Sequence, residues 1–142
     1  MNTHNEPKSL VLYADDDNED LQFVKKAFHC RETNIELKTF PGAVPLLNFI
    51  LDSNANDPLP CLIILDIHMP DMSGKDALKC LRSFKRYNKV PVILFSTSTL
   101  PNDASFADEY GAALFTKPLN EQQTDIIIEK FLQHCGEGAK RL

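Results

Sequence analysis

The sequence predicts an α/β protein built on a doubly wound parallel sheet of five strands. Five short apolar runs recur along the chain, and segments with helical spacing separate them. The first run, Leu10-Val11-Leu12-Tyr13-Ala14, is apolar throughout instead of alternating, as expected of a strand buried on both faces of a parallel sheet. Parallel strands joined in this way need right-handed helical crossovers.

The elements follow in order. The first strand halts at Asp15-Asp16-Asp17, and from Asn18 the period changes. Leu21, Val24 and Phe28 share one helical face, with Asn18 as the expected cap and Glu19 and Asp20 at the positive end. Ile35-Glu36-Leu37-Lys38 alternates, which predicts a second strand nearer an edge. Gly42 to Asp52 carries Val44, Leu47, Ile50 and Leu51 at helical spacing, and Pro45 fits only in its first turn. The stretch from Asn54 to Pro60 is a loop.

Cys61-Leu62-Ile63-Ile64-Leu65 is the most strand-like run and ends on Asp66. After a Pro70–Gly74 turn, Ser73 and Asp76 form a helix-starting pair ahead of Ala77, Leu78, Leu81 and Phe84. The fourth strand is Val90–Phe95, with Pro91 near its start, and it runs into Ser96-Thr97-Ser98-Thr99. A weaker helix over Asp103–Tyr110 stops at Gly111. Ala113-Leu114-Phe115-Thr116 is the fifth strand and leads to Lys117-Pro118. Asn120 caps a last helix whose inward face is Ile127, Ile128, Phe131 and Leu132.

Composition removes several function classes. With 142 residues, 43% of them hydrophobic and 25% charged, the chain suits one soluble domain. No apolar run approaches the ~20 residues needed to span a bilayer, and the polar start has no apolar signal segment, so a cytoplasmic protein without membrane contact is expected. A net charge of −5 argues against direct nucleic-acid binding. The basic stretch Lys79–Lys89, including Arg82, Lys85 and Arg86, is expected to be the solvated face and end of one helix. Cys30, Cys61, Cys80 and Cys135 are widely spread and are expected to be free, mostly buried thiols.

In doubly wound sheets, ligands bind outside the carboxyl ends of the strands. That edge receives Asp15 and Asp16 from the first strand, Asp66 from the third, Ser96 from the fourth and Lys117 from the fifth. Three carboxylates there would repel one another unless a cation intervened, and an all-oxygen donor set with few carboxylates suits Mg²⁺. Lys117 adds a positive charge and Ser96 a hydroxyl. Such parts suit phosphoryl transfer onto a carboxylate, with Asp66 as nucleophile and the adjacent Asp15 and Asp16 as metal ligands. A phosphohydrolase working through an aspartyl phosphate would want a second acid two residues after Asp66, where this chain has His68. A flavin phosphate loop would not carry three acids after the first strand.

The runs Leu10–Asp17, Leu65-Asp66-Ile67-His68-Met69-Pro70-Asp71-Met72-Ser73-Gly74, Pro91–Thr97 and Thr116-Lys117-Pro118 resemble response-regulator receiver domains, in the right order over about Lys8 to Leu132. The resemblance implies a flavodoxin-like fold with strand order 2-1-3-4-5. It implies that Asp66 is the phosphoacceptor for a sensor histidine kinase or a histidine phosphotransfer protein. Such a protein catalyses only its own phosphorylation and slow dephosphorylation. Asp15, Asp16, Asp66 and the main-chain carbonyl of His68 would hold Mg²⁺, while Ser96 and Lys117 would hold the phosphoryl group. A cis Lys117–Pro118 bond is also implied. So are a downstream protein target and homodimer formation on phosphorylation, through the fourth strand, its helix, the fifth strand and the last helix.

The resemblance also implies one receiver unit over residues 8–135, a mobile tail over 136–142 and no output domain. The chain departs from the family pattern in two places. Leu114 stands three residues before Lys117, where an aromatic residue is usual and Phe115 comes next, in a Gly111–Lys117 segment one residue short. Thr97 is bulkier than the small residue often found after the hydroxyl position. Thr97 and the His68 side chain are expected to restrict water and slow dephosphorylation.

Overall fold

The computed structural model describes residues 9–31, 34–97 and 100–135. Five strands, β1 (Ser9–Ala14), β2 (Ile35–Phe40), β3 (Leu62–Asp66), β4 (Val92–Ser96) and β5 (Ala113–Thr116), alternate with five helices. These are α1 (Asn18–His29), α2 (Ala43–Asp52), α3 (Gly74–Ser83), α4 (Pro101–Glu109) and α5 (Glu121–His134). All strand pairs are parallel, and the sheet order is β2-β1-β3-β4-β5. This is the expected flavodoxin-like arrangement, with β3 central and β2 and β5 at the edges. The expected tail, 136–142, and Lys8 at the expected domain start lie outside the described residues.

Side-chain alternation along each strand divides the core in two. Val11, Tyr13, Leu62, Ile64, Ile93 and Phe95 point to one face, where Leu21, Val24 and Phe28 of α1 and Ile128 and Phe131 of α5 cover them. Leu12, Ala14, Ile63, Leu65, Val92 and Leu94 point to the other, beneath α2, α3 and Ala107 of α4. Residues 62–66 and 92–96 are buried at every position because helices lie on both sides.

Several boundaries and faces differ from expectation. Asp17, not Asn18, caps α1: its extended backbone lets its carboxylate accept from the N–H groups of Glu19 and Asp20. β3 and β4 run one residue further than their apolar runs, because the ladder continues through Asp66 opposite Phe95 and through Ser96 opposite Thr116. In α2 the buried stripe is Ala43, Leu46, Leu47 and Ile50, while Val44 and Leu51 are exposed. This helix is apolar on nearly every side, so spacing alone could not set its face. In α5, Ile128 and Phe131 are buried with Thr124, whereas Ile127 and Leu132 are half-buried. α4 starts at Pro101, two residues early, and ends before Gly111, whose φ of 65° favours glycine. Asn120 and Ser73 cap α5 and α3 as expected, accepting from the N–H groups of Gln123 and Asp76.

Two readings of side-chain chemistry are overturned. Cys61, just before β3, and Cys135, just after α5, form a disulfide, whereas Cys30 and Cys80 are free. The two partners lie 74 residues apart, so folding alone brings them together. Arg82 is not a solvated cation. Its guanidinium donates to the carbonyls of Tyr110 (2.7 Å), Val90 (2.8 Å), Tyr87 (3.0 Å) and Gly111 (3.1 Å). These carbonyls lie ahead of β4 and β5, where a five-donor fork can satisfy several at once.

Candidate functional site

Each candidate side chain reaches the carboxyl edge of the sheet because its strand ends there. Asp15 follows β1 and is fully buried, a costly position for a carboxylate without partners. It has three. Tyr13, two residues earlier on the same strand face, donates its hydroxyl to Oδ2 at 2.6 Å, the Asp17 N–H donates to Oδ1 at 2.9 Å, and Lys117 Nζ lies 2.8 Å from Oδ2. Asp16 is exposed beside it. Asp66, the last residue of β3, is 5% exposed, and its Oδ1 receives a long 3.4 Å contact from the His68 N–H. One oxygen from each of Asp15, Asp16 and Asp66 lies within 4.8 Å of the others. Three hard oxygen donors so arranged fit a divalent cation that keeps several waters.

Lys117 completes the cluster. Its buried Nζ lies 2.7 Å from Asp20, 2.8 Å from Asp15 and 3.6 Å from Asp66, and 5.8 Å from the centre of the Phe95 ring. Asp20, in the first turn of α1, is a member that motif reading missed, since that turn explained its charge as a helix-dipole partner. Tyr13 was missed too, although a buried hydroxyl two residues from a carboxylate on one strand face was a usable signal. Ser96 is fully buried at the end of β4, and its carbonyl accepts from the Lys117 N–H at 2.7 Å.

The electrostatics follow from this burial. Desolvation, followed by repulsion from Asp15, pushes the Asp66 carboxyl up to about 7, with Lys117 pulling the other way. Burial alone would lower the Lys117 ammonium, but its hydrogen bonds to Asp15 and Asp20 outweigh it and raise the group above its ordinary range. Burial and the neighbouring Asp15 likewise raise the Tyr13 hydroxyl, keeping it a donor. Behind the site, the start of α3 presses against the end of β3. A Cβ on Gly74 would fall 2.2 Å from the Asp66 carbonyl oxygen, so only glycine fits.

The response regulator receiver domain family matches residues 11–129. The chain belongs to that family. Receiver proteins similar to it include response regulator Rcp1 of Synechocystis sp., 23% identical over 72% of this chain and 71% of Rcp1. Two-component response regulator ORR6 of Oryza sativa subsp. japonica is 32% identical over 74% of this chain and 59% of its own length. Among solved structures, the phosphorylated cyanobacterial phytochrome response regulator RcpA superposes with a TM-score of 0.81 at 21% identity, over 93% of this chain and 96% of RcpA. The Mn²⁺-bound form of Rcp1 gives 0.75 at 21%, over 86% and 90%.

Within this receiver, β5 turns Leu114 and Phe115 to opposite faces of the sheet. Leu114 packs on the α2–α3–α4 side, and Phe115 on the opposite side against Phe131 and His134. The Lys117–Pro118 bond is trans, against expectation. The two X-Pro isomers lie within ~1 kcal/mol, so the local path of the chain decides between them. The His68 side chain is exposed, and so is Thr97.

Proposed function

We propose that this receiver accepts a phosphoryl group on Asp66 from a phosphohistidine, with Mg²⁺ at Asp15, Asp16 and Asp66 and the His68 main-chain carbonyl as a further ligand. One observation carries the reading: the buried Asp66 carboxylate shares its pocket with two other carboxylates and an ammonium group, all at the carboxyl edge. A bound divalent ion supplies charge neutralisation to the carboxylates and the incoming phosphoryl oxygens. An Asp66 Oδ attacks phosphorus, an O–P bond forms, and the P–N bond to the donor imidazole breaks in line. Lys117 turns from its carboxylate partners toward the phosphoryl oxygens, and the Ser96 hydroxyl donates to one of them. Attack of water on phosphorus then breaks the new O–P bond, releasing inorganic phosphate and returning the free Asp66 carboxylate, so the protein turns over only its own phosphate.

The donor is a sensor histidine kinase or a histidine phosphotransfer protein, and the cytoplasm is the expected setting. No described helix is long and apolar enough to cross a membrane. The signal leaves through the β4–α4–β5–α5 surface, to a protein target or a second copy. A groove of about 320 Å³ there is lined by Thr116, Leu119, Ile126 and Ile127, and Leu119 is 88% exposed. Incubation with acetyl phosphate and Mg²⁺, read by intact mass, tests the reading. Wild type gains one phosphoryl group and Asp66→Asn gains none; an unlabelled wild type would overturn it.

A further inference from the structure

Gly42 precedes α2 but has no side chain to cap it, yet the first N–H groups of that helix are not left to water. Asp71 reaches them from the loop between β3 and α3. Its Oδ2 accepts from the Val44 N–H at 2.9 Å, while its Oδ1 lies 3.4 Å from the Ala43 N–H and accepts from the N–H of its neighbour Met72 at 2.8 Å. The space is shaped for this carboxylate, because a Cβ on Gly42 would fall 2.5 Å from Asp71 Oδ2. The capping carboxylate belongs to a residue 27 positions beyond Val44 along the chain.

That loop also carries His68, whose N–H faces Asp66 Oδ1. Ile67 and Met69 anchor its near end in the core, and Gly74, bonded to the Ile67 carbonyl at 2.9 Å, fixes its far end. Pro70 and Asp71 between them are exposed. The Asp71 carboxylate is thus the side-chain anchor of the loop's tip.

The geometry points to Asp71 as a positioning residue for the phosphoacceptor site: by capping α2 from the β3–α3 loop, it holds the His68 backbone against Asp66. The inference rests on the proposed function, since it concerns the metal and phosphoryl chemistry of that same site. Two aspects follow from one carboxylate, namely the stability of the α2 start and the placement of the loop. They can be separated. Gly42→Ser, made in an Asp71→Ala background where the clash is gone, supplies a local cap to the Val44 N–H without tethering the loop.

The experiment uses the full chain, with Mn²⁺ as the metal probe. Free Mn²⁺ is counted by electron paramagnetic resonance, Val44 amide exchange by mass or NMR, and acetyl phosphate labelling by intact mass. Asp71→Ala is expected to weaken Mn²⁺ binding about tenfold, the lower end of losses from outer-sphere partners of metal ligands, and to speed Val44 exchange and slow labelling. Asp71→Asn keeps a side-chain acceptor and restores most of all three. Gly42→Ser with Asp71→Ala restores Val44 protection but not Mn²⁺ affinity, and it carries the comparison should Asp71→Ala alone melt too easily. Equal Mn²⁺ affinity in wild type and Asp71→Ala would reduce Asp71 to a helix cap and overturn the inference. So would recovery of Mn²⁺ affinity in the double variant. A wild type that neither binds Mn²⁺ nor is labelled sinks the proposed function as well, which separates the two failures.

Discussion

The two ends of the sheet bury ionic and polar groups in opposite ways. At the carboxyl edge, Asp15 and Asp66 are carboxylates of like charge in one pocket, held together by a single ammonium group. At the amino edge, Arg82 is surrounded by neutral carbonyls that ask for its donors, and a disulfide ties β3 to α5. One end is left electrostatically unfinished, as the proposed cation and phosphoryl group would require. The other is closed. The same sheet can carry a strained site at one edge because the opposite edge is satisfied.

Breaking the closed end should cost the most stability. Cys61→Ser with Cys135→Ser opens a link across 74 residues of sequence and should cost roughly 4 kcal/mol in the chain-entropy picture. Urea unfolding with and without reductant checks it, and acetyl phosphate labelling of the folded variant should be unchanged. At the unfinished end, Lys117→Ala leaves buried carboxylates without their ammonium partner. A loss of about 3 kcal/mol is expected, together with loss of labelling; unaltered labelling would remove Lys117 from the chemistry.

Asp66→Asn should do the reverse and stabilise the metal-free protein. The Asp66 carboxyl sits at about 7 in the fold and near ~3.9 unfolded. Its raised value means stability is fully present below the unfolded pKa and is lost as pH rises toward 7. In EDTA at pH 8, Asp66→Asn should therefore exceed wild type by on the order of 4 kcal/mol, and the gap should shrink toward pH 4 or on adding Mg²⁺. A gap independent of pH would mean the carboxylates do not strain the fold. Arg82→Lys should cost about 2 kcal/mol, since a point ammonium cannot serve four carbonyls in the place of a planar fork, with labelling intact. The smallest effect is kinetic. Thr97→Ala with His68→Asn should shorten the lifetime of the Asp66 phosphate, and an unchanged decay measured by intact mass would remove water exclusion as their role.

The residues that carry charge at strand ends were readable because an acid or a lysine closing a buried apolar run has few reasons to be there. Asp15, Asp66, Ser96 and Lys117 all lie where the strand count put them. Apart from Tyr13 and the Asp17 cap, whose partners are local, the residues that were misread or missed owe their roles to contacts far along the chain. Asp20 looked like a helix-dipole charge until Lys117, 97 residues later, was seen against it. Arg82 looked solvated until four carbonyls from two later loops closed around it. Cys61 and Cys135 carried no spacing signal, because a disulfide between the end of one element and the start of another depends only on three-dimensional proximity.

Local physics, the period of apolar residues and the punctuation by acids, glycines and prolines, determined by itself the five strands, the helices and the edge where chemistry gathers. Tertiary structure alone decided which buried charges meet, which helix is capped from a distant loop, which way Leu114 and Phe115 face, and that Lys117–Pro118 is trans. The reason is range: hydrogen-bond ladders and hydrophobic periodicity are set over a few residues, whereas the partners of a buried charge or thiol are chosen only when the chain has packed.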